Sequence, residues 1–277
     1  MIDKTNPFAF KRQYGPSLNI PKVLATDFIQ PKDMIIIGGP CFVESPELID
    51  RIVPEIADEV TFFRGGVFRA GTYPPKDLGW NWESLKYYNQ KVKEYGKTNI
   101  VEVLDYRDID KIEPYLGAFQ VGMRAAQNYA LLDELSKQEK PVFLKRGAWE
   151  KLDEWLGSLE YLVKNGKKNI YLIERGIVGF DNHARYSLCL SSIPAIKEIC
   201  NVPIIVDACH GTGRRDIVPA MSFAGIACGA DGILLETHPE PEKSLSDADQ
   251  TIDLDTFHET VAKSKEIYKI VREPGQR

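Results

Sequence analysis

The stretch PVFLKRGAWEK (residues 141–151) opens as a segment that prefers burial and finishes in two cations and a glycine, Lys145-Arg146-Gly147. A strand that surfaces into solvent often ends on a charge, so one instance decides nothing. The transition recurs along the whole chain. Cys41 follows MIIIGGP, Arg64 closes VTFFR, Asp105 follows NIVEVL, and Arg124 follows FQVGM. Glu174-Arg175-Gly176 follows NIYLI, Asp207 and His210 follow VPIIV, and Glu236 and His238 follow DGILL. Eight short apolar runs, beginning near residues 34, 60, 99, 118, 141, 169, 203 and 231, each end in reactive or charged side chains.

Most of the intervening segments carry a helical pattern. Ser45 before Pro46 predicts an N-cap for SPELIDRIVPEIADE, although Leu48 stands where a full capping box needs an acid or amide. Leu85, Tyr88 and Val92 share one face of WESLKYYNQKVKEYGK, which stops at Gly96. Gly166 and Gly229 are the corresponding stops further on, and Phe257, Val261, Ile267 and Val271 give the last segment its amphipathic spacing. Strands as apolar as PIIVD and NIYLI are covered on both faces, as in a parallel sheet. A doubly wound sheet accommodates them, but eight strand–helix units match a closed α/β architecture better: the (β/α)8 TIM barrel, whose catalytic groups sit at the carboxyl ends of the strands. Residues 34–277 are expected to form that barrel as one domain. Residues 1–33, with Pro7, Pro16, Pro21 and Pro31 and no helical period, are expected to be an irregular arm or small hairpin, too short for a regulatory domain.

Composition sets the class. Of 277 residues 43% are hydrophobic and 27% charged, which excludes a mostly disordered chain, and the net charge of −5 gives no general attraction to nucleic acid or anionic membrane. No apolar run approaches a membrane span and the start lacks a secretory pattern, so a cytoplasmic protein is expected. The five cysteines are odd in number and scattered, which suits core residues or ligands better than a disulfide framework.

Two sets of side chains converge if the barrel is right. Arg64, Arg69, Arg124, Lys145, Arg146, Arg175 and the pair Arg214-Arg215 would put many cations at one mouth of a net acidic protein, which suits a small, multiply anionic ligand. The competing reading is a ring of solvated strand ends with internal salt bridges. Cys41, His210, Glu236 and Asp247 offer thiolate, imidazole and carboxylates, a set suited to Mn²⁺, Fe²⁺, Co²⁺ or Zn²⁺. Taken singly, Cys41 reads as a small core residue and His210 as a loop residue.

The motifs GGPCFVES, FFRGGVFRAGTYP, QVGMRAAQN, FLKRG, IERG, IIVDACHGTGRRD and ETHPEPEKSLSDADQ, in this order between residues 38 and 250, resemble those of the class I 3-deoxy-D-arabino-heptulosonate 7-phosphate (DAHP) synthases of the short β subtype. That family also includes the related 3-deoxy-D-manno-octulosonate 8-phosphate synthases. The resemblance implies a metal-dependent, aldol-type condensation of phosphoenolpyruvate (PEP) with a phosphorylated aldose, erythrose 4-phosphate in the DAHP synthases. It implies that Cys41, His210, Glu236 and Asp247 hold the metal and that Arg64, Arg124, Lys145 and Arg175 grip PEP. Lys145 is also a candidate proton carrier, with a pKa expected to be lowered by burial among cations. Such enzymes are usually homotetramers or homodimers.

The chain departs from the family pattern on the aldose side. Where relatives read Lys-Pro-Arg-Thr, this chain reads Arg69-Ala70-Gly71-Thr72, which replaces a substrate-binding arginine by glycine and leaves Arg69 and Thr72 as the candidate contacts. The Arg-Thr-Phe-Glu that usually follows the sixth strand becomes Val178-Gly179-Phe180-Asp181, and Asp-Pro-Ser-His becomes Asp207-Ala208-Cys209-His210. Three functions follow: a DAHP synthase with substitute contacts from Arg214 or Arg215, a sister synthase using another aldose phosphate such as arabinose 5-phosphate, or a non-catalytic PEP-binding protein. Cys209, adjoining His210, is expected near Cys41, where two thiols would oxidise together.

Overall fold

In the computed structural model, residues 19–67, 82–180 and 182–272 are described. In chain order the elements are α1 (Pro21–Ala25), β1 (Ile35–Gly39), α2 (Pro46–Ile56), β2 (Phe62–Arg64), α3 (Trp82–Glu94), β3 (Asn99–Glu102), α4 (Ile109–Ile112), β4 (Ala118–Val121), α5 (Tyr129–Leu135), β5 (Val142–Lys145), α6 (Leu152–Val163), β6 (Ile170–Glu174), α7 (Ser192–Ile199), β7 (Ile204–Asp207), α8 (Ala208–Thr212), α9 (Val218–Ala227), β8 (Gly232–Glu236) and α10 (Leu254–Arg272). The eight strands close in sequence order into an all-parallel barrel. The seam joins β1 to β8 from Ile35 opposite Gly232 to Gly39 opposite Glu236.

Local chemistry explains the boundaries. The Ser45 side chain accepts the Leu48 N–H at 3.3 Å, so the N-cap forms without the acid of a full box. Gly96, Gly166 and Gly229 follow their helices at φ of 66°, 84° and 96°, the left-handed conformation that ends a helix most cheaply on glycine. Between β3 and β4 the helix is only the four-residue α4 flanked by 3-10 turns.

Two apolar layers hold the barrel. Ile35, Ile37, Ile100, Ala118, Phe143, Tyr171, Ile173, Ile205 and Leu234 pack inside it, with Phe143 stacked on Tyr171 at 4.6 Å between ring centres. The larger cluster lies between the strands and the helices and includes Ile52, Trp155 and Phe257, all fully buried.

Where an irregular arm or hairpin was expected, the described part of residues 1–33 includes the short helix α1. Pro21 starts it, and the Glu160 carboxylate of α6 accepts the N–H groups of Lys22 (2.9 Å) and Val23 (2.7 Å). The chain then runs past the amino ends of β6 and β7, with Ile29 donating to Lys168 and Gln30 to Asn201. Among the described residues no helix is long and apolar enough to cross a membrane.

Candidate active site

Side chains two apart on a strand share a face. Continuing the interior row of each strand toward its carboxyl end therefore names the groups that cap the barrel interior. Phe62 leads to Arg64, Ile100 to Glu102, Ala118 to Gln120, Phe143 to Lys145, Ile173 to Arg175, Ile205 to Asp207 and Leu234 to Glu236. The strand β5 ends in Lys145 because Lys145 belongs to this layer.

Asp207 is the hub. Fully buried, it faces the Lys145 ammonium with Oδ2 at 2.9 Å, while Oδ1 accepts the backbone N–H of His210 and lies 3.0 Å from its Nδ1. Burial opposes the Asp207 charge, but His210 and Lys145 more than offset it and hold the carboxyl well below the usual range. The carboxylate against Nδ1 holds the ring in place, and Nε2 points to Glu236 Oε1 at 3.2 Å. Lys145 was expected to sit among cations; its close partner is the Asp207 carboxylate.

Glu236 is also fully buried. Burial raises its carboxyl, and His210 and Arg64 bring it below the ordinary value. Arg64 Nη1 lies 2.8 Å from Glu236 Oε1 and donates to the Pro40 carbonyl at 2.6 Å. Gln250 Nε2 donates to Oε2 at 2.5 Å. On the β1 side, the Cys41 thiol meets Ser246 Oγ at 3.2 Å and Asp247 Oδ2 at 3.3 Å, and it is pushed well up by burial and by the Glu236 carboxylate. Asp247 adopts φ 51°, in the left-handed region that aspartate tolerates better than most residues with a side chain.

The four expected metal ligands thus form two close pairs, Cys41 with Asp247 and His210 with Glu236. Among the described residues no three such groups converge closely enough to hold one ion; Arg64 lies on Glu236, and Arg185 faces Asp247 at 3.5 Å. The chemistry nevertheless fits a cation. The set mixes sulfur, nitrogen and carboxylate oxygen, and the buried Glu236 Oε1 accepts no aligned hydrogen bond.

The cations divide sharply. Arg175 is buried, donates with Nη2 to the His210 carbonyl at 3.2 Å and lies 4.2 Å above the Tyr186 ring, while its Nε and Nη1 have no hydrogen-bond partner. Arg124, on the turn after β4, is close enough for its charge to lower the Glu102 carboxyl. Arg146 does not join them. Adjacent to Lys145, it points to the opposite face, pairs with Glu174 at 2.9 Å and donates to the Glu150 carbonyl. Arg214 is bound to Asp216 and the His183 carbonyl, and Arg215 to Glu242 and the Ala248 carbonyl, so both are engaged locally. Arg69, Gly71, Thr72 and Asp181 lie outside the described residues. Cys209 is a core residue whose sulfur accepts the Glu236 N–H at 3.2 Å, so the two thiols have different partners.

Sequence reasoning passed over Glu102, Ser246, Gln250 and Arg185. Burial raises the Glu102 carboxyl above its ordinary value, against the lowering effect of Lys145 and His210. Its signal was available: a carboxylate two residues after Ile100 on the inner row.

The carboxyl face of this barrel gathers a partly unpaired buried arginine, a lysine–aspartate pair and sulfur, nitrogen and oxygen donors, an arrangement suited to a small anionic ligand. Residues 25–273 match the model of the DAHP synthetase I family. The phospho-2-dehydro-3-deoxyheptonate aldolase of Thermotoga maritima is 39% identical over 233 residues, covering 84% of this chain and 69% of that protein. The solved truncated 3-deoxy-D-arabino-heptulosonate 7-phosphate synthase of Thermotoga maritima superposes with a TM-score of 0.80 at 36% identity, over 89% of this chain and 93% of that one. A 2-dehydro-3-deoxyphosphooctonate aldolase of Desulfotalea psychrophila is 27% identical over 266 residues, covering 87% and 91%. The chain belongs to the DAHP synthetase I family.

Proposed function

We propose that this protein condenses PEP with erythrose 4-phosphate and water, releasing DAHP and inorganic phosphate. The observation that carries the reading is Arg175, a buried guanidinium with two donors unmet, beside the Lys145–Asp207–His210 chain. Unmet donors on a buried cation are costly unless an anion fills them. Arg175, Lys145, Arg64 and Arg124 would bind the phosphate and carboxylate of PEP. Lys145 donates to Asp207 now and is placed to carry a proton at Nζ, and Glu102, with its raised carboxyl, would hold the proton released as water adds at C2 of PEP.

Cys41, His210, Glu236 and Asp247 would hold a divalent cation, Mn²⁺, Fe²⁺, Co²⁺ or Zn²⁺, which when bound polarises the aldose carbonyl as a Lewis acid. Asp207 would then keep the His210 proton on Nδ1 and leave Nε2 free for the cation. Assembly as a homodimer or homotetramer in the cytoplasm belongs to the same reading.

The greater identity to the heptulosonate enzyme, 39% against 27%, favours erythrose 4-phosphate. Gly71 in place of the family's arginine favours the second reading, a synthase using arabinose 5-phosphate. The test is phosphate release from PEP by metal-reconstituted protein with each aldose phosphate. Chelator-sensitive turnover with erythrose 4-phosphate supports the first reading, turnover with arabinose 5-phosphate alone replaces it, and PEP binding without turnover on either makes the protein a PEP-binding one.

A further inference from the structure

Each metal-type carboxylate divides its two oxygens between two neighbourhoods. Glu236 turns Oε1 toward His210 and Oε2 toward Gln250, and Asp247 turns Oδ2 toward Cys41 and Oδ1 toward Arg185. The outward oxygens meet at one pair of side chains, because Arg185 Nη1 also lies 3.4 Å from Gln250 Oε1. Chemistry fixes the orientation of that pair. A carboxylate only accepts and a guanidinium only donates, so the Gln250 amide must give its N–H to Glu236 and its oxygen to Arg185.

Arg185 is anchored for this task. Its backbone N–H donates to the Thr212 carbonyl at 2.8 Å, and its neighbour Tyr186 donates to Gly211 at 3.1 Å. The stem runs across the turn that ends α8. Gly213 sits there at φ 66°, and a Cβ on it would fall 2.7 Å from Arg185 Cβ, so the glycine makes room for the arginine. The guanidinium lies 5.6 Å from the Tyr186 ring centre, the same ring that supports Arg175. Gln250 is 2% exposed, so its amide has no solvent alternative.

The geometry points to Arg185, acting with Gln250, as a positioning residue that presents Glu236 and Asp247 to the cation by one oxygen each. The inference rests on the metal-site reading above and assigns it an outer shell. It has a sign that simple electrostatics does not share. Coulomb repulsion alone predicts that removing the Arg185 charge tightens cation binding, whereas positioning predicts that it loosens.

The experiment loads the full chain with Co²⁺, measures affinity by competition with a chromophoric chelator, and records the thiolate–cobalt absorption, with Cys41→Ala as the control for the site. Arg185→Met and Gln250→Leu are expected to weaken Co²⁺ binding by about tenfold to a hundredfold and to shift the absorption. Arg185→Lys, which keeps the charge but loses the planar fork, is expected to fall between. Folded Arg185→Met and Gln250→Leu proteins with unchanged or tighter binding and a wild-type spectrum overturn the inference. Wild-type protein that takes up no Co²⁺ with Cys41-dependent absorption overturns the metal-site reading, and this inference with it.

Discussion

At the amino end of the barrel Lys167 donates to the carbonyls of Gln138 and Lys140, both at 2.6 Å, Lys140 donates to Glu113 and Leu116, and Lys97 donates to Val60. At the carboxyl end Arg175 keeps two buried donors without partners, and the Glu236 Oε1 atom accepts no aligned hydrogen bond. Both ends bury cations, and they differ in how completely the chain satisfies them. Carbonyl dipoles close the amino end into structure, whereas the carboxyl end keeps buried donors unmet. Burial alone therefore does not separate these two sets of cations; how fully their donors are met does.

The largest effect should come from breaking that contrast at the open end. Arg175→Ala is expected to lower kcat/KM for PEP by about 10²- to 10³-fold, corresponding to about 3–4 kcal/mol of charge-assisted binding. A loss below tenfold, measured by steady-state kinetics, would remove Arg175 from the clamp. Asp207→Asn comes next. The amide can place an N–H against His210 Nδ1 and select the wrong tautomer, so cation affinity should fall by about tenfold to a hundredfold in chelator competition.

The same variant carries a pH signature. The folded Asp207 pKa is depressed, so its charge contributes stability above the unfolded carboxylate pKa of about 4, and that contribution is lost as pH falls toward the folded value. Unfolding free energies from urea titration should fall more between pH 6 and pH 3 for wild type than for Asp207→Asn, by on the order of 1 kcal/mol. Equal slopes would show that Asp207 does not carry this linkage.

Lys167→Met tests the closed end. Orphaning two carbonyls should destabilise the fold by about 1–3 kcal/mol in urea titration, with KM for PEP within about twofold of wild type. A changed KM with unchanged stability would reverse the assignment of the two ends. The smallest effect is expected at Arg214→Ala. Because Asp216 already engages this arginine, KM for the aldose phosphate should move by less than about threefold, and a larger rise would make Arg214 a substrate contact.

All eight strands were legible because each is apolar on both faces, and Ser45, Gly96, Gly166 and Gly229 announced their helix ends. In the site, strand ends pointed to Cys41, Arg64, Lys145, Arg175, His210 and Glu236. Arg146 was misplaced because successive strand residues face opposite ways, so Lys145 and Arg146 cannot both enter the mouth. Glu102 was missed although the same alternation predicts it from Ile100. The partners of Lys145, and the split of the metal donors into two pairs, depend on distances between loops that no local spacing encodes. Gln250 and Arg185 belong to the same category, since 65 residues separate them.

The helix α1 bears on the order in which the protein can be assembled during synthesis. A five-residue helix cannot persist alone in water, and the carboxylate that meets its first N–H groups lies 138 residues downstream. Residues 21–25 must therefore wait, as a nascent segment, until α6 has left the ribosome. β1 waits longer still for its pairing with β8. The first parts of the barrel to be made are among the last to find their places.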